Sequence, residues 1–305
     1  MLDYLLPEHI LNVLRRYDNN KIYEIRLRRN ASIVINYAGK NVCLTTEGLY
    51  KGEKVFSSAS IIEYVVKKAT ENSLYAYNNQ IKQGFITARG GVRLGIAGES
   101  VNSDNFMPTT IKNINAIDIR IPHEVKGCSK VAFKFIYSKE SGIRSTLIIS
   151  PPGAGKTTFL RDICRQISLV QEKIYNTLLV DERFEISSTS NGIPMLDIGE
   201  YTDVVSGASK EFAFSNGIRS LSPDVIVTDE LMSGCDVAAC IQAVRSGVKV
   251  IASVHADSYN DLRDKDNYKK LFETKCFERY VVLSNKNGAG TYEGVFDENL
   301  NCIYF

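Results

Sequence analysis

A glycine-rich segment in the middle of the chain carries residue types that bind the phosphates of a nucleotide. It reads Ser150-Pro-Pro-Gly-Ala-Gly-Lys-Thr-Thr158 and lies between an apolar run and a predicted helix, which is the context of a phosphate-binding (Walker A) loop. Glycines let backbone N–H groups curl around phosphates, and a helix N-terminus adds favourable partial charge. The sequence therefore predicts a nucleotide site formed by Ser150, Pro151, Pro152, Gly153, Ala154, Gly155, Lys156, Thr157 and Thr158.

Three residues of this loop have separate expected roles. Lys156 reaches the β- and γ-phosphates, Thr157 ligates Mg²⁺, and Thr158 hydrogen-bonds the α-phosphate. One position departs from the G-x-x-x-x-G-K-[ST] pattern, because Ser150 stands where the pattern has glycine. If the loop needs a positive φ there, serine adds about 1 kcal/mol of strain.

A second candidate element is an apolar strand that ends in two carboxylates. The segment Pro223-Asp-Val-Ile-Val-Thr-Asp-Glu230 is typical of a Walker B strand. We expect Asp229 to hold the Mg²⁺ shell and Glu230 to orient or deprotonate the attacking water. An acidic strand end by itself is as often a solvated loop, but its place after the Walker A loop favours the catalytic interpretation.

Two further groups follow apolar strands. Leu178-Leu-Val-Asp-Glu-Arg-Phe-Glu185 places Asp181 and Glu182 where they could lie beside the metal or the water, with Arg183 as an ion-pair partner. The alternative is a strand cap with a surface ion pair. His255 could sense the γ-phosphate, or it could be a packed or capping histidine. Ligands of open parallel sheets bind beyond the carboxyl ends of the strands, so we expect these groups in one site.

Composition limits the classes of protein to which the chain can belong. Its 305 residues are enough for about two domains, and 37 Lys+Arg against 35 Asp+Glu give a net charge of +2, too small for coating nucleic acid by bulk charge. No apolar run is long enough to span a membrane, and the start does not resemble a secretory signal. The seven scattered cysteines predict reduced thiols rather than disulfides or a zinc site. We expect a soluble, intracellular protein.

The predicted elements change in character along the chain. The first half favours short helices and alternating strands: a helix from Pro7, strands at Tyr23–Leu27 and Ile33–Ile35, a helix at Ser60–Lys68, two strands around Gly90-Gly91, and a strand at Ile117–Ile121. In the second half, continuous apolar strands alternate with helices, which indicates a parallel sheet covered on both faces. We expect an α+β N-terminal domain over 1–125 and an α/β domain over 126–305.

The order of these motifs resembles that of the ATPases of the type II and type IV secretion superfamily. A Walker A loop, an acidic box, a Walker B strand and a histidine box follow one another at 150–158, 181–185, 225–230 and 253–257. Further segments resemble a sporulation family of that superfamily: Tyr23–Arg28, Ser73–Tyr77, Gly84–Thr87, Gly90–Gly98, Ile117–Arg120, Leu160–Asp162 and Thr228–Glu230. This resemblance covers about residues 1–260 and is loose over 261–305.

The resemblance implies a RecA-like P-loop ATPase core that uses ATP and Mg²⁺ and assembles as a hexamer. It implies that the motor energises a secretion-like channel from the mother cell to the forespore of an endospore former. The implied location is cytoplasmic, on the mother-cell side, held to the membrane through embedded channel proteins. In the superfamily, N-terminal-domain arginines approach the phosphates, and Arg93 and Arg120 are the candidates because strand alternation turns both off the apolar face.

Two other function classes remain open at this point. A nucleotide-binding scaffold with little turnover would dock the channel, and Ser150 is the residue that keeps this alternative open. A RecA-like nucleic-acid translocase would use a basic cluster formed by Arg15, Arg16, Lys21, Arg26, Arg28 and Arg29. The chain has no tryptophan and no clear stacking platform, so a protein-docking or solvated face is favoured and nucleic acid is not expected as a partner.

Overall fold

The computed structural model describes residues 2–102, 108–121, 124–189, 192–263 and 265–304. They fold into two compact units, the first comprising Met1–His123 with Ser190–Met195 and the second Glu124–Thr189 with Leu196–Phe305. Among the described residues, no helix is both long and apolar enough to cross a membrane.

The first unit is an antiparallel sheet with short helices. Its helices are α1 (Glu8–Leu14), α2 (Ala59–Ala69) and α3 (Asn78–Lys82), with 3₁₀ turns at Asn19–Lys21, Leu74–Tyr77 and Arg89–Gly91. Its strands are β1 (Ile22–Arg28), β2 (Ala31–Ser32), β3 (Val34–Tyr37), β4 (Lys40–Cys43), β5 (Phe56–Ser57), β6 (Phe85–Ala88), β7 (Val92–Asn102) and β8 (Pro108–Arg120). The main sheet has the order β4-β3-β1-β8-β7-β6, and β2 pairs with β5.

Side-chain alternation in this sheet follows the sequence pattern. Leu94 of β7 and Ile119 of β8 are cross-strand partners on the buried face. Arg93 and Arg120 are also cross-strand partners, one position away on the other face. The prediction of two strands around Gly90-Gly91 is confirmed, with a 3₁₀ turn at the connection.

The second unit is built on one large sheet. Its strands are β9 (Tyr137–Ser138), β10 (Gly142–Ile143), β11 (Thr146–Ser150), β12 (Thr177–Asp181), β13 (Thr202–Ser206), β14 (Val225–Glu230), β15 (Lys249–His255), β16 (Arg279–Ser284), β17 (Thr291–Asp297) and β18 (Cys302–Tyr304). Its helices are α4 (Lys130–Ile136), α5 (Lys156–Ser168), α6 (Lys210–Leu221), α7 (Gly234–Arg245), α8 (Tyr259–Arg263) and α9 (Asp266–Glu273). The sheet order is β13-β12-β14-β15-β11-β16-β17-β18.

Six neighbouring strands of this sheet are parallel: β13, β12, β14, β15, β11 and β16. Strands β17 and β18 continue the sheet in antiparallel orientation. Helices α4 and α5 pack on one face, where Ile148 and Leu179 point, while α6, α7 and α9 pack on the other, where Leu147 and Leu178 point. Because both faces are covered, these strands are almost continuously buried, as their apolar runs predict.

Candidate nucleotide-binding site

Four strands of the second unit bring polar groups to one edge of the sheet. Strands β11, β12, β14 and β15 are parallel and end at Ser150, Asp181, Glu230 and His255, respectively. The carboxyl ends of parallel strands meet at the same edge, so the loops that follow them can form one site.

The phosphate loop connects β11 to α5. Gly153 and Gly155 have φ of 76° and 82°, in the left-handed region that glycine adopts without strain. Ser150 is instead the last residue of β11, fully buried and paired with His255 of β15, and its φ is not positive. Ser150 therefore does not carry the strain that a positive φ would cause. The first residue of the loop with a positive φ is Gly153, three residues later.

This conformation predicts the effect of restoring the glycine of the usual pattern. Ser150→Gly should lower the free energy of unfolding by about 0.5–1 kcal/mol, because glycine in a strand loses more conformational entropy on folding. Urea unfolding measures this change. Gly155→Ser is the matched comparison and should destabilise more, since φ at this position is 82° and a residue with a Cβ is strained there. A clear gain in stability for Ser150→Gly would contradict the assignment.

The side chain of Lys156 is buried beside the end of β15. Its Nζ lies 2.6 Å from Nδ1 of His255, and Nε2 of His255 lies 3.3 Å from Oε1 of Glu230. An ammonium donates to Nδ1, which leaves the Nε2–H to donate towards the Glu230 carboxylate. Burial lowers the pKa of Lys156 to about 8, against the opposing effect of the Glu230 charge. Three of the expected site residues thus form one chain of contacts.

The Walker B aspartate has a partner that sequence reasoning missed. Nζ of Lys210, the first residue of α6, lies 3.1 Å from Oδ1 of Asp229 and 2.7 Å from Oε2 of Glu182. Burial raises the pKa of Asp229 to about 6, and the charge of Lys210 opposes that rise. Burial alone would lower the pKa of Lys210, but Asp229 and Glu182 together raise it. The sequence shows only a lysine after a helix N-cap residue, which does not indicate that Lys210 lies beside Asp229 and Glu182.

Asp181 has a different environment from the one expected. Its carboxylate is fully buried and accepts hydrogen bonds from the backbone N–H groups of Glu185, Ile186 and Ser187 and from the Ser187 hydroxyl, at 2.6–3.2 Å. These bonds engage both carboxylate oxygens in holding the loop after β12. The geometry thus gives Asp181 a structural role and does not support the expected position beside metal or water.

The loop after β12 is also fixed from the phosphate-loop helix. On α5, the buried Arg161 donates to the carbonyls of Glu185, at 2.8 Å, and Ile186, at 2.6 Å. Within the loop, Phe184 and Ser188 have φ of 58° and 50°, an uncommon conformation for residues other than glycine. The hydrogen bonds that the loop forms with Asp181 and with Arg161 hold Phe184 and Ser188 in that conformation. Arg183 of this loop approaches Glu230, at 3.8 Å, rather than the Asp181 and Glu182 expected as partners.

Asp162, next to Arg161, fixes the start of the second unit. Its carboxylate accepts hydrogen bonds from the N–H groups of Gly127 and Ser129, at 2.8 Å each, and from the Ser129 hydroxyl, at 2.7 Å. Arg165, one turn later, donates to it through Nε and Nη2 at 2.9 and 2.7 Å. The adjacent residues Arg161 and Asp162 therefore connect α5 to two separate segments.

The loop between β16 and β17 contacts the phosphate loop. Nδ2 of Asn285 donates to the carbonyl of Pro152 at 3.1 Å, and the N–H of Gly290 donates to the carbonyl of Ala154 at 3.0 Å. Because the C=O and N–H of a trans peptide point in opposite directions, these bonds turn the N–H groups of Gly153 and Gly155 away from the β16–β17 loop. This loop belongs to the 261–305 segment, for which the sequence suggested no role.

In the first unit, Arg93 and Arg120 lie opposite each other on β7 and β8. The guanidinium of Arg93 lies 4.4 Å from the ring centroid of Phe85, a cation–π contact. Arg120 is 61% exposed and forms ion pairs with Glu24 at 3.6 Å and Asp118 at 3.5 Å. Both arginines lie off the apolar face as expected, and their approach to a nucleotide stays a prediction.

The oxygen atoms of Thr157 and Asp229 suit a divalent cation that is bound together with phosphates. The hydroxyl of Thr157 and the carboxylate of Asp229 are hard oxygen ligands, and Mg²⁺ in nucleotide sites takes one or two such ligands plus phosphates and waters. Within the described ranges, no group of three or more His, Cys, Asp or Glu side chains is arranged to hold a metal ion. Thr157 and Asp229 fit the cation through the chemistry of their oxygens.

Solved structures with a similar fold include a pilus retraction motor and an ATPase. One is the pilus retraction motor PilT with bound ADP (TM-score 0.58, 13% identity, 90% of this chain and 77% of that chain). Another is the ATPase DotB of Legionella pneumophila (TM-score 0.54, 12% identity, 88% and 74%). The chain thus has an α/β fold with a RecA-like P-loop core, like these two proteins, and a smaller α+β N-terminal part.

The chain belongs to the family described as Sporulation stage III, protein AA, whose sequence profile matches residues 2–303. It is 32% identical to "Stage III sporulation protein AA" of Bacillus subtilis (strain 168) over 304 residues, 98% of this chain and 95% of that protein. It is also 29% identical over 161 residues to "Uncharacterized protein ycf45" of Cyanidium caldarium, 52% and 46% of the two chains. The expected family is confirmed, and the match extends through the segment after residue 260 that the sequence resemblance left loose.

Proposed function

We propose that this protein is an ATP-hydrolysing motor that works as a hexamer and energises a secretion-like channel between mother cell and forespore. The observation that carries the proposal is the chain of contacts from Lys156 through His255 to Glu230 at the carboxyl edge of a parallel sheet. It joins the residue expected to bind phosphate to the residue expected to position water.

The residues divide the work as follows. The backbone of the phosphate loop and Lys156 bind the β- and γ-phosphates, and Lys156 exchanges its contact with His255 for a contact with the nucleotide. His255 then lies beside the γ-phosphate, and Glu230 orients the attacking water or accepts its proton. Thr157 and Asp229 would hold Mg²⁺, which would supply positive charge to neutralise the phosphates.

Assembly completes the proposed site. An N-terminal domain over 1–125 would supply Arg93 and Arg120 to the phosphates of an ATPase domain over 126–305, because charge spread over the transferring γ-phosphoryl group is stabilised by arginine. The ring would act on the cytoplasmic, mother-cell side and dock on membrane-embedded channel proteins. Motion between the two domains, driven by binding and hydrolysis, is the proposed output.

The nucleic-acid translocase has less support than the secretion motor. In the first unit, Arg15 pairs with Glu8 at 2.8 Å, Lys21 with Asp18 at 3.3 Å, and Arg26 with Asp118 at 3.2 Å. A cluster in which three of six members are paired with acids attracts a phosphate backbone less than a fully unpaired one does. The low-turnover scaffold loses its main support, because the serine at the start of the phosphate loop is not strained.

The first test of the proposal is ATP turnover by purified protein over a concentration series in Mg²⁺. Activity per chain should rise with concentration, since ring formation completes each site. Lys156→Ala should abolish turnover and weaken nucleotide binding by at least about tenfold, because a buried charge-assisted contact with the phosphates is lost.

Lys40→Ala, at an exposed position of β4, is the matched lysine control and should behave as wild type. Bound nucleotide without turnover at every concentration would support the scaffold instead. Turnover that depends on single-stranded nucleic acid and falls with salt would support the translocase.

A further inference from the structure

Lys210 is a buried lysine at the start of a helix. Only 3% of its surface is exposed, and it is the first residue of α6 after the N-cap Ser209, whose hydroxyl accepts the N–H of Phe212. Lysine is rarely buried without a partner, because removing an ammonium from water is costly.

The helix itself does not favour a cation at this position. The N-terminus of a helix carries partial positive charge, so a lysine in the first turn is repelled where an acidic residue would be attracted. With burial and the helix dipole both unfavourable, other contacts must stabilise the Lys210 ammonium.

Two carboxylates provide that stabilisation. Nζ of Lys210 lies between Oε2 of Glu182, at 2.7 Å, and Oδ1 of Asp229, at 3.1 Å. Glu182 follows β12 and Asp229 lies at the end of β14, so one ammonium joins the acidic box to the Walker B strand. Asp229 is also the carboxylate expected to hold the hydration shell of Mg²⁺.

We propose that Lys210 is a built-in counter-ion of the metal position, which holds Asp229 and Glu182 in place and weakens their affinity for a divalent cation. Lys210 is a positioning residue, since it acts through the two carboxylates. The inference rests on the proposed function, because it concerns the cation that accompanies the nucleotide.

The counter-ion has a definite electrostatic consequence. A positive charge about 3 Å from a carboxylate oxygen opposes a second cation that approaches the same carboxylate, and the effect is strong where water is excluded. The phosphates of a nucleotide add negative charge that offsets this repulsion. Lys210 thereby makes cation binding depend on the nucleotide, so that the metal enters as a nucleotide complex.

The test measures cation affinity separately from nucleotide affinity in the full-length protein. Binding of a fluorescent ADP analogue in EDTA gives the metal-free nucleotide affinity, and electron paramagnetic resonance of Mn²⁺ with ADP gives the cation affinity. Lys210→Met should tighten Mn²⁺ binding by about tenfold and leave metal-free ADP affinity within about twofold. Lys210→Arg, which keeps the charge, should bind Mn²⁺ as wild type does.

Lys173→Met is the matched control, because Lys173 forms an ion pair with Asp224 at 2.7 Å on the exposed surface. It should change neither affinity. If Lys210→Met does not fold, Lys210→Gln is measured in the same way, since its amide still donates to a carboxylate without carrying charge.

Unchanged or weaker Mn²⁺ affinity in a folded, uncharged variant would overturn the counter-ion role. A purely structural role would lower thermal stability without tightening Mn²⁺ binding. Failure of the wild-type protein to bind the ADP analogue would instead contradict the proposed function, so the two failures are distinguishable.

Discussion

Glu230→Gln should lower the turnover number for ATP by at least about 100-fold, the contribution of a positioned general base. Glutamine keeps the shape of the side chain but cannot accept a proton from water. The contact between His255 and position 230 can persist through the amide oxygen, so binding of ATP should stay within about threefold of wild type. Steady-state hydrolysis and equilibrium binding of a fluorescent ATP analogue measure the two quantities.

Glu63→Gln is the control, because Glu63 is exposed on α2 of the first unit. It should leave both quantities unchanged. Near-normal turnover in Glu230→Gln would show that the catalytic base lies elsewhere, with Glu182 as the next carboxylate to replace. Loss of binding along with turnover would indicate instead that the variant has disturbed the phosphate loop.

Asp162→Asn should lower the free energy of unfolding by about 2–4 kcal/mol, the range for breaking a buried, hydrogen-bonded ion pair. Asp162 is 3% exposed and accepts bonds from Gly127, Ser129 and Arg165. An amide at this position must present an N–H₂ group to donors and leaves Arg165 without its counter-charge. Urea unfolding of the two proteins measures the difference.

The difference in unfolding free energy between wild type and Asp162→Asn should depend on pH. Burial would raise the pKa of Asp162, but the bonds from Ser129, Gly127 and Arg165 outweigh it and lower the pKa below the ordinary 3.8. Because the folded pKa is depressed, the stabilisation is fully present above 3.8 and is lost as pH falls through the folded value. The free energy of unfolding of wild type should therefore approach that of Asp162→Asn as the pH is lowered.

Asp297→Asn is the matched control for Asp162→Asn. Asp297 also accepts several local bonds, from Asn299 and Asn301, but it lies on the surface. Its replacement should have a much smaller effect, and an equal effect would mean that burial of Asp162 is not the source of its contribution.

Local signals in the sequence were sufficient to predict the framework of the second unit. The apolar runs predicted strands where β11, β12, β14 and β15 occur, because strands buried on both faces must be apolar throughout. The glycines of the phosphate loop predicted a backbone that curls, and Gly153 and Gly155 have the positive φ angles that glycine permits. Strand alternation also assigned Arg93 and Arg120 to the polar face of the first unit.

Contacts between distant segments explain what sequence reasoning missed. Asp181 has the residue type and position of a catalytic carboxylate, and only the folded loop shows that four donors engage it. Lys210 follows an ordinary helix cap, and its burial depends on Glu182 and Asp229, 28 and 19 residues away. Asn285 lies in a polar turn whose contact with Pro152 spans 133 residues. No local pattern encodes such pairings.

The position of β11 in its sheet has a consequence for synthesis of the chain. Its two neighbours are β15 and β16, paired at 251–255 and 279–282, and the carbonyl of Ala154 is bound by Gly290. Since a ribosome releases the chain from the N-terminus, the phosphate loop emerges before any of these partners exists. In a nascent chain, the loop can form its hydrogen bond to Gly290 only once Gly290 has left the ribosome. The candidate nucleotide site is therefore among the last parts of the protein to mature, long after its most recognisable motif has been translated.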